Sequence, residues 1–146
     1  MSASEIIIVS GLPRSGTSLM MQMLVRGGIE ILTDNLRVAD TDNPRGYCEY
    51  ERVKKTKDDP SWLPLARGKA VKMVSQLLYD LPASETYRVL FMERDLDETL
   101  ASQEKMLARL GQSAAPRDRM RAAFQMHLDR LHGWLAERPN FAVRRV

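Results

Sequence analysis

The stretch Glu5–Arg26, EIIIVSGLPRSGTSLMMQMLVR, leaves this chain few ways to fold. Ile6, Ile7, Ile8 and Val9 form a β-branched run with no polar alternation, the pattern of a strand buried on both faces. A short loop follows, Gly11-Leu12-Pro13-Arg14-Ser15-Gly16. Leu19, Met20, Met23 and Leu24 then recur at helical spacing, and Gly27-Gly28 stops the helix. Strand, glycine loop and helix in that order present unpaired backbone N–H groups to an anion. The positive end of the helix dipole adds to the attraction. The bland alternative is a strand–turn–helix whose glycines serve the turn alone.

The loop approaches the phosphate-binding pattern G-x-x-x-x-G-K-[ST]. Gly11, Gly16 and Ser18 match, and Thr17 stands where the lysine belongs. That lysine reaches the β- and γ-phosphates of a nucleoside triphosphate. Arg14 is the loop's cation here, so the pattern predicts anion binding poorly suited to ATP or GTP hydrolysis.

The rest of the chain alternates. Ile29–Leu32 is a short apolar piece, followed by a polar loop over Thr33–Gly46. Tyr47–Asp59 reads as a short charged helix ended by Pro60, with Lys54, Lys55 and Lys57 as its solvated face. Lys69–Ser75 and Tyr87–Met92 read as strands, with a helical turn over Gln76–Leu81 between them. Asp95 with Glu98 three residues on predicts a helix start, and that helix runs to about Leu110. Met120, Phe124, Leu128, Leu131 and Leu135 mark a further amphipathic helix from Pro116 to about Glu137. Phe141–Val146 reads as a fourth strand. Strands separated by helices predict one α/β domain over residues 1–146, with a parallel central sheet in a three-layer fold. The loop makes it like the P-loop-containing nucleotide hydrolases. Ligands then bind beyond the carboxyl ends of the strands, where Arg14–Ser18, Lys72–Ser75 and Arg94–Ser102 fall.

Arg94 follows a strand, and Ser102 lies two turns into the next helix. An arginine and a hydroxyl so placed suit a phosphate. The alternative is an exposed arginine paired with Asp95 or Asp97. Lys72 is a lysine within a buried strand, unusual unless paired or aimed at a site, with Lys69 as its competitor. His127 and His132 are five apart and fall off one helix face, which predicts packing or surface roles. Cys48 has no histidine near it in sequence. No ligand spacing for a metal is present, so none is expected.

LPRSGTS resembles the loop of sulfotransferases that holds the 5′-phosphosulfate of 3′-phosphoadenosine-5′-phosphosulfate. The wording is nearest the bacterial and tyrosylprotein branches. RVLFMERDLDETLAS resembles the segment of that family which grips the 3′-phosphate, an arginine followed eight positions later by a serine. The resemblance runs from Ile6 to about Arg109. It implies sulfonyl transfer from this donor to a hydroxyl or amine acceptor, leaving adenosine-3′,5′-bisphosphate. It implies that Arg14, Ser15, Gly16, Thr17 and Ser18 hold the 5′-phosphosulfate and that Arg94 and Ser102 hold the 3′-phosphate. It also implies that Arg14 and Lys72 act on the transferring group. The histidine that cytosolic members place after the strand lysine is missing, since Met73, Val74 and Ser75 follow Lys72. A glutamate becomes the expected base, Glu49 ahead of Glu51. Family members continue beyond a fourth strand, so the resemblance implies a domain incomplete at its C-terminus. The alternative is a non-catalytic nucleotide-binding or scaffold protein with the same loop.

A net charge of +3 is too small and too dispersed for nucleic acid, but suits an anionic small ligand. One cysteine excludes an internal disulfide framework and fits a reducing compartment. With no apolar run of membrane length, the expectation is a cytoplasmic protein with a small-molecule or peptide acceptor as partner. Self-association stays open.

Overall fold

A computed structural model describes residues 4–34 and 49–146. Four strands, β1 (Ile6–Gly11), β2 (Ala70–Val74), β3 (Tyr87–Met92) and β4 (Phe141–Arg145), form one sheet in the order β2-β1-β3-β4. Every pairing is parallel: Ile7 opposes Ala70, Ile6 opposes Tyr87, and Tyr87 opposes Phe141. Three α-helices accompany them: α1 (Thr17–Arg26), α2 (Leu96–Arg109) and α3 (Arg117–Ala136).

The β-branched run of β1 is central because both of its faces are covered, and all six of its residues are buried. Alternation along the strands divides the core in two. Ile6 and Ile8 join Val71, Met73, Tyr87, Val89 and Phe91 on one face, packed by Leu131 and Leu135 of α3. Ile7 and Val9 join Ala70 on the other, packed by Met21 of α1. The sheet is therefore a middle layer with helices on both sides.

The segment after the polar loop departs from expectation. In place of a helix over 47–59, the described part holds a short 3-10 helix at Glu51–Lys55, and a second lies at Leu63–Ala66. Trp62, fully buried between them, organises this region. Its indole N–H donates to Thr56 Oγ1 at 3.2 Å, and the Thr56 hydroxyl donates to the Val53 carbonyl at 2.6 Å. A continuous α-helix would pull these groups apart. Thr56→Val keeps the shape but strands a buried indole donor. The expected cost is about 1–3 kcal/mol, read as a lower urea midpoint at unchanged slope.

Elsewhere the sequence pattern holds within a residue or two. The Asp95 carboxylate accepts from the Glu98 amide at 3.1 Å and starts α2. Pro116 precedes α3, and the helical turn after β2 is a 3-10 helix over Ser75–Asp80. Cys48 and most of the polar loop lie outside the described residues.

Candidate functional site

The strand order reverses direction at β1, because β2 lies to one side of it and β3 to the other. At such a switch point the loops leaving neighbouring strands diverge and open a crevice at the carboxyl ends. A cavity of about 580 Å³ occupies that position, within the usual range for small-molecule sites. Arg14, Thr17, Ser18, Glu49, Lys72 and Arg94 all line it.

The β1–α1 loop is built around two glycines. Gly11 has φ +154°, and a Cβ there would stand 2.5 Å from Ser15 Oγ and 2.9 Å from the Met92 carbonyl oxygen. Gly16 has φ +101° and precedes α1 with no side-chain cap, and no acidic residue sits in the first turn. The start of α1 thus lines the cavity with neither a side-chain cap nor a carboxylate of its own, the setting in which a helix start attracts an anion. Ser15 is turned inward, its hydroxyl donating to the Leu12 carbonyl at 2.5 Å. Its side chain ties the loop, and the role expected of Ser15 rests on its backbone amide, which this bond leaves untouched.

Arg14 takes a left-handed conformation, φ 66°. Its Nε donates to Ser102 Oγ of α2 at 3.1 Å. Arg94 Nη1 donates to the Arg14 carbonyl at 2.9 Å, and Arg94 Nε lies 3.5 Å from Glu98 Oε2. The expected pair Arg94–Ser102 and the expected loop cation Arg14 therefore meet in one cluster. Arg14 bridges the other two, its backbone carbonyl accepting from Arg94 and its guanidinium donating to Ser102 two turns into α2.

Lys72 lies on the α1 face of β2, as alternation from Ala70 requires. Its ammonium donates to Ser18 Oγ at 3.1 Å and stands 3.8 Å from Glu49 Oε1. Its side chain is 13% exposed and that of Glu49 18%, so the pair is shielded from bulk water. Glu49 Oε2 is 3.9 Å from Lys54 Nζ. The Glu49 backbone is fixed by neighbours: Thr33 Oγ1 donates to its carbonyl at 2.8 Å and the Asp34 amide at 3.0 Å. Glu51 pairs with Lys54 at 3.0 Å and does not line the cavity among the described residues. Lys69 pairs instead with Glu30 at 3.3 Å. Lys72 and Glu49 thus line the cavity, and Lys69 and Glu51 are not among its described lining residues.

Some lining residues had no assigned role in the sequence. Lys54 reads there as part of a solvated face, yet it borders the cavity, as do Tyr50, Val53, Val74 and Leu77. The apolar step from Tyr50 to Val53 was the available signal. Across the described lining, Arg14, Lys54, Lys72 and Arg94 face Glu49 alone among carboxylates, a balance that favours an anion.

The histidines stand apart from this cavity. His127 Nε2 is 2.7 Å from the buried Ser75 hydroxyl just after β2. His132 packs edge-on to Phe91, with 4.6 Å between ring centroids. Burial holds both imidazoles below the ordinary histidine value. A depressed folded-state pKa means that the unfolded chain takes up protons first. Stability should be complete above about pH 6.5, the unfolded value, and fall as pH drops through it toward the folded values. Urea unfolding at pH 7.5 and 5.5 checks this, and His127→Gln should flatten the difference.

Comparison with known proteins returns no match: no family model, no curated protein and no solved structure pairs with this chain.

Proposed function

We propose that this protein is a sulfotransferase of the P-loop-containing class, moving a sulfonyl group from 3′-phosphoadenosine-5′-phosphosulfate to a hydroxyl or amine acceptor. One observation carries the reading. A single cleft is lined by the uncapped amino end of α1, by Arg14 and Arg94, and by the Lys72–Glu49 pair, while Ser102 stands behind Arg14, outside the described lining, and accepts from its Nε. A donor with anions at both ends fits that lining, its 3′-phosphate toward Arg94 and its 5′-phosphosulfate over the α1 amides.

Each residue then has a task. Glu49 takes the proton from the acceptor hydroxyl or amine as that atom attacks sulfur. The new bond to sulfur forms as the bond from sulfur to the bridging oxygen breaks, and the electron pair stays on that oxygen. Lys72, Arg14 and the first amides of α1 stabilise the charge left on the departing phosphate. Ser18 orients Lys72 and Ser102 orients Arg14. Tyr50, Val53, Val74 and Leu77 present apolar surface near Glu49 for the body of the acceptor.

Calorimetry tests the reading. Adenosine-3′,5′-bisphosphate should bind at least tenfold more tightly than either AMP or ATP–Mg²⁺, since each added charge-assisted contact is worth about 1.5–3 kcal/mol. Preference for ATP–Mg²⁺ would overturn it. Tight bisphosphate binding with no turnover across a hydroxyl and amine panel would favour a non-catalytic nucleotide-binding protein.

A further inference from the structure

Residues 29–34 run beside β2, outside the four strands. The Leu32 amide donates to the Ala70 carbonyl at 2.8 Å, and the Ala70 amide donates to the Glu30 carbonyl at 2.9 Å. Ile31 is thereby bridged, in parallel, to the first residue of β2. Lys72 lines the cleft two residues further along the same strand. Thr33 and Asp34 follow Leu32 directly, and there the chain meets the segment that carries Glu49.

Asp34 holds that segment at two points. Its amide donates to the Glu49 carbonyl at 3.0 Å, and its Oδ2 accepts from the Glu51 amide at 2.8 Å. The Thr33 hydroxyl adds a third bond, to the Glu49 carbonyl at 2.8 Å. These bonds lie on both sides of Tyr50, so they fix the backbone from Glu49 into the 3-10 helix at Glu51–Lys55. The bond to the Glu51 amide has a carboxylate as acceptor, which makes it one of the stronger kind. The Glu49 side chain depends on that foundation. Its Oε1 is 3.8 Å from Lys72 Nζ and its Oε2 is 3.9 Å from Lys54 Nζ. Both distances exceed a hydrogen bond, so neither ammonium grips the carboxylate in place of a fixed backbone.

A general base works within hydrogen-bond reach of the proton it takes, and a displacement of about 1 Å can cost 10²-fold in rate. We infer that Asp34 is a positioning residue for Glu49, an inference that rests on the sulfotransferase reading and deepens it. Asp34 is not among the described residues lining the cleft; it acts through the backbone of Glu49 and Glu51. In sulfonyl transfer Glu49 serves the attacking atom and Lys72 the departing oxygen, on opposite sides of sulfur. Asp34 refers the first of these groups to the strand that bears the second.

A double-mutant cycle in the full chain tests this, read as single-turnover rates with saturating donor. Asp34→Ala should lower the transfer rate about 10–100-fold, the worth of one charge-assisted hydrogen bond. Its affinity for adenosine-3′,5′-bisphosphate should stay within about twofold of the parent, as for an uncoupled site. Asp34→Asn keeps an oxygen that accepts from the Glu51 amide and should recover most of the lost rate. On a Glu49→Gln background, Asp34→Ala should change the residual rate by less than about twofold, because no base is left to misplace. A merely structural role lowers the rate alike on both backgrounds, and that result would overturn the inference. So would an unchanged rate in Asp34→Ala, or loss of bisphosphate binding along with the rate. A parent chain that transfers no sulfonyl group is a separate failure, of the sulfotransferase reading, and takes the inference with it.

Discussion

Glu49→Gln should lower sulfonyl transfer about 10²–10⁴-fold in kcat while leaving the affinity for adenosine-3′,5′-bisphosphate unchanged. The amide keeps the shape of the carboxylate but cannot take the acceptor proton. The side chain is shielded, 3.8 Å from the Lys72 ammonium, and its backbone is fixed by Thr33 and Asp34. The substitution therefore removes the chemistry with little change of position. Glu51→Gln supplies the contrast, because Glu51 is paired with Lys54; it should stay within about threefold of the parent, the scale of a surface pair. Equal losses in the two variants, or none in either, would remove Glu49 from the base role. Single-turnover measurement with a saturating donor separates loss of proton transfer from loss of acceptor binding.

Arg94→Ala should cost the bisphosphate about 10–100-fold in affinity, while AMP loses little. An arginine–phosphate contact is worth about 1.5–3 kcal/mol, and each 1.4 kcal/mol is a factor of ten. The guanidinium has a second duty, since its donation to the Arg14 carbonyl at 2.9 Å supports the left-handed turn at Arg14. Arg94→Lys tells the two duties apart. A lysine restores charge but not the planar fork, so it should recover part of the phosphate preference and little of the loop support. If Arg94→Ala weakens both nucleotides equally, the arginine serves the loop alone.

The strands were legible because two periodicities coincide with chain punctuation. The β-branched run of β1 has no polar residue to mark a wet face, and the sheet covers both of its sides. YRVLFM coincides with β3, and Asp95 caps α2 as its spacing to Glu98 suggests. The region around Trp62 was less legible, because short 3-10 helices leave no 3.6-residue pattern and depend on one buried indole and its hydroxyl partner. Around the candidate site, Arg14, Lys72, Arg94 and Ser102 could be singled out one at a time from residue type and position, and Glu49 only through the family resemblance. Their mutual arrangement could not, because Arg14 and Ser102 stand 88 residues apart. Their contact is set by strand order, a property of the whole sheet. Ser15 has a role with no local signature, since its hydroxyl ties the loop to the Leu12 carbonyl while only its amide is expected to face a ligand. The histidines fit the packing role their spacing suggested, although the Ser75–His127 contact leaves no local signature.

The order of the sheet also sets a timetable for synthesis. β1 is made first, yet its neighbours in the sheet begin at Ala70 and Tyr87. At translation speeds of about 5–20 residues per second, the interval from Ile6 to Tyr87 lasts roughly 4–16 s. Through that time the nascent chain carries an unsheltered isoleucine–valine segment, prone to aggregation until β3 has left the ribosome. Yield in cells should therefore depend on chaperone supply more steeply than the finished domain's equilibrium stability would suggest.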